Sequence, residues 1–254
     1  MKTLGVIWTL AAARATAAGM AFALFGGAGV PLGGLAAADP GHFNWLRIPP
    51  DETGRGRVDI RGFTLTGSNM AVGPAASALI RWPLAGGWEL EVGAGRYFFA
   101  PRSNWVKDAI PNPETAVTAL GVGARYGRRM GRVTPAAAAG FGYYLETLTL
   151  DAAGSVHSGY AYDEVYTLDK TVDMNTPGSY VGGDLSCGLT EHLALELGAR
   201  YHYVFNGKSY SILIHEKYGY EGYHYTEYAF PTSVDKAYND QFLDLRAGLV
   251  YAMF

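Results

Sequence analysis

The chain has 254 residues, with 34 glycines, 18 tyrosines, one cysteine and a formal net charge of −3. That mildly acidic balance offers no footprint for nucleic acid, and one cysteine excludes an intramolecular disulfide. Near-neutral mean hydropathy, without repeated long apolar runs, excludes a multi-helix membrane protein and suits one domain of modest size.

Met1 and Lys2 open the chain, Arg14 carries the next charge, and none follows until Asp39. The Ala-, Gly-, Leu- and Phe-rich run between them ends Ala36-Ala37-Ala38-Asp39-Pro40. Small residues at Ala36 and Ala38 fit a signal peptidase, so residues 1–38 are expected to be a signal peptide cleaved after Ala38. An uncleaved anchor is the alternative, since the run is long enough to span a bilayer. Its glycines, Pro31 and small-residue exit favour removal. Residues 39–57, with Trp45, Leu46 and Pro49-Pro50, read as a periplasmic segment, and residues 58–254 as one β-barrel.

Period-two alternation marks the strands in order. Val58 and Ile60 oppose Asp59 and Arg61 in the expected first strand. Ala76, Ala78, Ile80 and Trp82 oppose Arg81; Trp88, Leu90, Val92 and Ala94 oppose Glu89 and Glu91. Leu120, Val122, Ala124 and Tyr126 oppose Gly121, Gly123 and Arg125. Val133 to Leu145 at odd positions oppose Gly140, Gly142, Tyr144 and Glu146. Val181, Gly183, Leu185 and Cys187 oppose Gly182, Asp184 and Ser186. Leu193 to Tyr203 at odd positions oppose Glu196, Gly198, Arg200 and His202. The chain ends with Leu243, Leu245, Ala247, Leu249, Tyr251 and Met253 opposing Asp244, Arg246 and Gly248. Arg96 alone falls on the oily parity and is expected at the outer rim or beyond a β-bulge.

Three short turns, near 83–87, 127–131 and 190–192, alternate with long polar segments near 67–75, 99–115, 151–178 and 206–238. Short turns on one side and long loops on the other describe an all-β, eight-stranded antiparallel transmembrane barrel with periplasmic turns and extracellular loops. Trp82, Trp88, Tyr126 and Tyr251 gather near the turns. Phe98, Phe99, Tyr201, Tyr203 and Phe205 gather near the loops, as two interfacial belts would. The rival is a soluble β-sandwich, which also alternates but needs no leader, one-sided turns or belts.

Gly248-Leu249-Val250-Tyr251-Ala252-Met253-Phe254 is similar to the Gly-x-x-Tyr-x-Phe ending of small bacterial outer-membrane barrels of the OmpA, OmpX and OmpW type, displaced by one residue. Thr134 to Tyr144, Gly178 to Gly183 and Ala199-Arg200-Tyr201 resemble other strands of those proteins. The resemblance covers the chain after residue 57. It implies a bacterial outer-membrane location and recognition of Gly248, Tyr251, Met253 and Phe254 by the barrel-assembly machinery.

Parity sends Asp59, Arg61, Arg81, Glu89, Glu91, Arg125, Glu146, Asp184, Glu196, Arg200, His202, Asp244 and Arg246 inward. An eight-stranded barrel is only wide enough for its own side chains, and confined charges must be paired. A salt-bridged plug is the expectation; a narrow path for ions or small apolar solutes, as the OmpW likeness implies, is the alternative. A lipid A-modifying enzyme would need His and Ser on the lipid-facing surface. There no assigned strand carries His, and His157-Ser158 lies in a loop. His215, Glu216, Glu221, His224 and Glu227 lack a tight metal-ligand spacing. The interleaved Tyr218, Tyr220, Tyr223 and Tyr225 suggest a hairpin turning at Glu221-Gly222, suited to an extracellular ligand. Gly121-Val122-Gly123 and Gly140-Phe141-Gly142 open no helix and read as barrel curvature, not nucleotide binding. Cys187 reads as a small lipid-facing residue. The expectation is a monomer in outer-membrane lipid with an envelope-structural and surface-interaction role. No cofactor, metal, catalytic residue or nucleic-acid partner is expected.

Overall fold

The computed structural model describes residues 19–37, 42–48, 57–100, 112–158, 162–218 and 226–253. In chain order the elements are β1 (Ala21–Leu32), the one-turn helix α1 (Gly33–Ala36), β2 (His42–Ile48), β3 (Arg57–Leu65), β4 (Gly73–Pro83), β5 (Trp88–Phe99), β6 (Asn112–Gly127), β7 (Val133–Ser158), β8 (Tyr162–Asp173), β9 (Thr176–Gly188), β10 (Leu193–Val204), β11 (Ser209–Tyr218), β12 (Thr226–Lys236) and β13 (Asp240–Ala252). Eight of these strands close a wall in the order β1-β4-β5-β6-β7-β9-β10-β13, with β13 pairing back to β1; every contact in the wall is antiparallel.

The outward parity is apolar and open. Phe141 is 73% exposed and Leu24 67%, and Phe22, Val122, Val181, Leu197 and Leu249 share that face. The inward parity holds Arg81, Glu91, Arg125, Asp184, Glu196, Arg200, Asp244 and Arg246, all buried. A soluble sandwich would enclose the first set and wet the second. A closed cylinder leaves no wall strand with an unpaired edge, so all its backbone polar groups are satisfied within hydrocarbon. The chain is therefore an eight-stranded transmembrane barrel of the bacterial outer-membrane kind. No helix among the described residues is long and apolar enough to cross a membrane.

Two sequence expectations change and a third is narrowed. Residues 21–32, expected within a leader ending at Ala38, form β1, in register with β13 from Ala21↔Ala252 to Leu32↔Gln241. Val58, Asp59, Ile60 and Arg61, expected in the first wall strand, belong to β3. It pairs with β2 and β12 on the long-loop side, opposite to the side expected for residues 39–57. Arg96 lies on the outer face in unbroken register, with no bulge; its Nη1 donates to Thr118 Oγ1 at 2.7 Å and its guanidinium lies 5.0 Å from the Phe98 ring centre.

Beyond the rim the sheet continues as β7-β8-β11-β12-β3-β2, with β12 and β3 parallel. At about 3.3 Å per residue, the 26 residues of β7 far exceed an apolar band about 25 Å tall. Its outer part, paired with β8, therefore stands above the membrane. The expected tyrosine hairpin corresponds to β11 and β12, closing at Tyr218↔Thr226. Residues 219–225, with Tyr220, Glu221, Tyr223, His224 and Tyr225, lie outside the described residues.

Candidate functional site

The lumen is the candidate site, and it is filled in layers. Nearest the short turns, guanidiniums and carboxylates from several strands interlock. Arg81 of β4 donates to both Glu196 oxygens on β10, at 2.8 and 2.7 Å. Arg200 meets Glu91 at 2.5 and 2.8 Å. Arg246 donates to Asp184 Oδ1 at 2.7 Å, and Arg125 to Glu89 at 2.6 Å. Tyr180 Oη donates to Glu91 at 2.9 Å and Ser186 Oγ to Glu196 at 2.5 Å. Forked pairs of this kind hold buried charges only when nearly every partner is present.

Above the ions lies an aromatic layer. His202 stacks on Phe242 at 4.6 Å and 7°, and Tyr97 tilts against Phe242 at 4.7 Å. Tyr144 Oη and His202 Nδ1 share a 2.9 Å hydrogen bond, and Tyr97 Oη donates to Asp244 at 3.3 Å. These rings lie against the wall and crowd the inward glycines together with the backbone of the neighbouring strand. A Cβ at Gly140 would sit 2.6 Å from the Tyr180 ring and 2.4 Å from the Val122 carbonyl oxygen. A cavity of about 40 Å³ remains, lined by Tyr97, Tyr144, Tyr180, Arg200, His202 and Arg246 among others. That is room for a few water molecules. Arg200 Nε, Arg246 Nε and His202 Nε2 have no protein partner there among the described residues.

A third layer is apolar. Leu35 of α1 and Met70, both with no exposed surface, pack with Phe99, Val117, Val204 and Phe242. The two ends of the first long connection clasp each other to deliver them: Ser68 N donates to Gly34 O at 3.1 Å and Met70 N to Leu35 O at 3.0 Å. Phe99, expected in the outer aromatic belt, points into this layer. Adjacent residues of a strand face opposite ways, so only Phe98 of that pair reaches lipid, at 46% exposure.

At the outer mouth Lys236 Nζ lies 3.0 Å from Glu146 and 2.7 Å from Asp240. Asn206 Nδ2 donates to Asp240 at 2.6 Å and also to Glu146. Burial opposes the Lys236 charge, yet the two carboxylates hold its pKa above the ordinary lysine value. Its contribution is therefore complete below the ordinary lysine pKa and fades only as pH rises through the raised one. Burial pushes the Tyr238 hydroxyl up, and Tyr210 up to about 12. Ser68 and Tyr238 hydrogen-bond across the connections that carry them. This cluster fastens the 205–239 excursion to β7 and β13. Lys236→Met should cost about 3 kcal/mol by leaving two facing carboxylates without their cation. Limited proteolysis should then cut residues 205–239 faster while the wall resists; unchanged cleavage would refute the latch.

Among the sequence-derived interior residues, Arg81, Glu89, Glu91, Arg125, Asp184, Glu196, Arg200, Asp244 and Arg246 come together in and just above the ionic layer. Glu146 sits apart at the mouth. Asp59 and Arg61 lie on β3, away from the wall; their side chains are outside the described part of the molecule. So are the side chains of His157, Ser158, His215, Glu216 and Glu227. Leu35, Met70 and Asn206 carry no signal in the sequence, because connections have no parity; Lys236 and Asp240 stand at the ends of β12 and β13, in and just beyond a stretch that the sequence reads as one long polar loop. Gly248 faces Phe25 of β1, Tyr251 is 47% exposed on the outer face, and Met253 N donates to Met20 O at 2.6 Å; Phe254 lies outside the described residues.

No protein family model and no curated protein matches the sequence. Among solved structures the chain is similar to Neisserial surface protein A, at 15% identity and a TM-score of 0.43, over 92% of this chain and 96% of that one. It is also similar to a major outer membrane protein from Thermus thermophilus, at 12% identity and 0.42, over 92% and 99%. A third is Ail, the attachment invasion locus protein of Yersinia pestis, at 8% identity and 0.41, over 92% and 99%. Likeness at this level assigns no activity.

Proposed function

We propose that the protein is a non-conducting, non-enzymatic barrel that works as a monomer, with its surface interactions made by the strands beyond the outer rim. The observation that supports this reading is the stack of ionic, aromatic and apolar layers across the lumen, with a cavity of about 40 Å³ between them. A solute path would have to break several forked ion pairs and displace Leu35 and Met70. Among the described residues His202 is inward and bonded to Tyr144, and His192 lies at a short turn. His202 therefore offers lipid-side hydrolysis no base on the lipid-facing surface. The extended outer sheet is the surface left for an extracellular ligand. Gly248, Tyr251, Met253 and Phe254 are the proposed contact for assembly machinery.

Planar-bilayer recording on refolded full-length protein tests the reading. Flat traces are expected across both polarities. Recurrent unitary steps would overturn it in favour of a narrow channel.

A further inference from the structure

Of the three short turns, only the one between β6 and β7 carries net positive charge. Arg128, Arg129 and Arg132 fall within five residues there, and all three are exposed. The turn at 84–87 is uncharged, and the turn at 189–192 holds Glu191. Arg129 Nε donates to Gly131 O at 3.1 Å. None of the three arginines has a carboxylate partner among the described residues.

The frame that presents them is fixed. Met130 N donates to Val133 O at 2.7 Å, Val133 N to Met130 O at 3.2 Å, and Arg128 N to Pro135 O at 3.1 Å. Gly131 completes the reversal at φ 65°, where a side chain is disfavoured. Met130 at the tip is 59% exposed. Trp88 and Tyr126, at the ends of the strands leading to this rim, lie 5.1 Å apart and are both outward. Aromatic pairs of this kind sit at headgroup depth, which sets the three guanidiniums level with lipid phosphates.

We propose that this turn is a docking site for an acidic phospholipid of the inner leaflet, with the phosphate of a phosphatidylglycerol-like headgroup held by Arg128, Arg129 and Arg132. The site rests on the membrane-barrel reading, because only that reading places the turn at a phospholipid surface. Three guanidiniums without carboxylate partners among the described residues, beside an interfacial aromatic pair, complement an anionic headgroup in charge and an acyl chain in character. Each guanidinium near such a surface gains about fivefold in affinity, reduced by added salt.

The test uses the full chain with Trp88 as sole tryptophan, the others replaced by Phe, reconstituted in phosphatidylcholine vesicles. A minor fraction of either brominated phosphatidylglycerol or brominated phosphatidylcholine is included, and heat-dependent gel migration verifies folding. Brominated phosphatidylglycerol should quench Trp88 well beyond its mole fraction, and brominated phosphatidylcholine in proportion to it. The preference should vanish in the Arg128→Gln/Arg129→Gln/Arg132→Gln variant and shrink in high salt. Equal quenching by the two lipids in a folded barrel, or a preference that survives the triple substitution, overturns the docking site alone. A chain that never gains barrel migration in vesicles overturns the barrel reading and the site with it.

Discussion

Deleting residues 21–32 should abolish folding, and the membrane-extracted protein should begin at or before residue 20. β1 is the closing strand: it pairs along its length with β13 on one side and from Ala21 to Gly29 with β4 on the other. Both neighbours run antiparallel to it, so β4 and β13 run parallel to each other and cannot close the antiparallel wall in its absence. Two edges of unpaired N–H and C=O groups would then face hydrocarbon, at several kcal/mol per group. The ionic layer would also lose Phe25, whose ring lies 4.3 Å from the Arg246 guanidinium carbon and 6.0 Å from that of Arg81. A leader ending at the small-x-small triplet Ala15-Thr16-Ala17 keeps β1 whole; one ending at Ala38 removes it. N-terminal sequencing of protein extracted from outer membranes decides between them. A folded, heat-modifiable protein starting at Asp39 would refute the role of β1.

The same strand shows where sequence reading stops. Seven wall strands were legible because each alternates apolar with polar, glycine or charged positions, as Leu195, Leu197 and Ala199 do with Glu196, Gly198 and Arg200. β1 carries no such mark. Its inward positions are Ala23, Phe25, Gly27, Gly29 and Pro31, so both faces read as apolar and the run imitates a leader's core. Conversely, the alternation of Val58 and Ile60 with Asp59 and Arg61 is real, but it serves a sheet above the membrane. Parity shows which charges enter the lumen, whereas partner choice depends on geometry across it. Arg81 stands opposite Glu91 on the adjacent strand, yet its shortest contacts reach Glu196 across the barrel. Leu35 and Met70 were illegible for another reason: a plug is made by connections, whose packing no periodicity records.

Neutralising Glu196 should produce the largest stability loss of any single substitution in the ionic layer. Its side chain is fully buried and accepts from Arg81 twice, from Arg125 at 3.3 Å and from Ser186. Glu196→Gln keeps the shape but leaves Arg81 and Arg125 short of a counter-charge. Breaking a buried ion pair from one side costs about 3–5 kcal/mol, read as a lower denaturant midpoint in tryptophan fluorescence of folded protein in lipid. Arg81→Met should cost less, because Glu196 retains Arg125 and Ser186. The Arg81→Met/Glu196→Met double variant should recover part of the loss, since neither charge is then stranded. The coupling energy of that cycle should exceed about 1 kcal/mol. If Glu196→Gln shifts stability by less than about 1 kcal/mol, water rather than the guanidiniums satisfies this carboxylate. The lumen would then be solvated instead of interlocked, and the flat conductance trace expected of it would lose its physical basis.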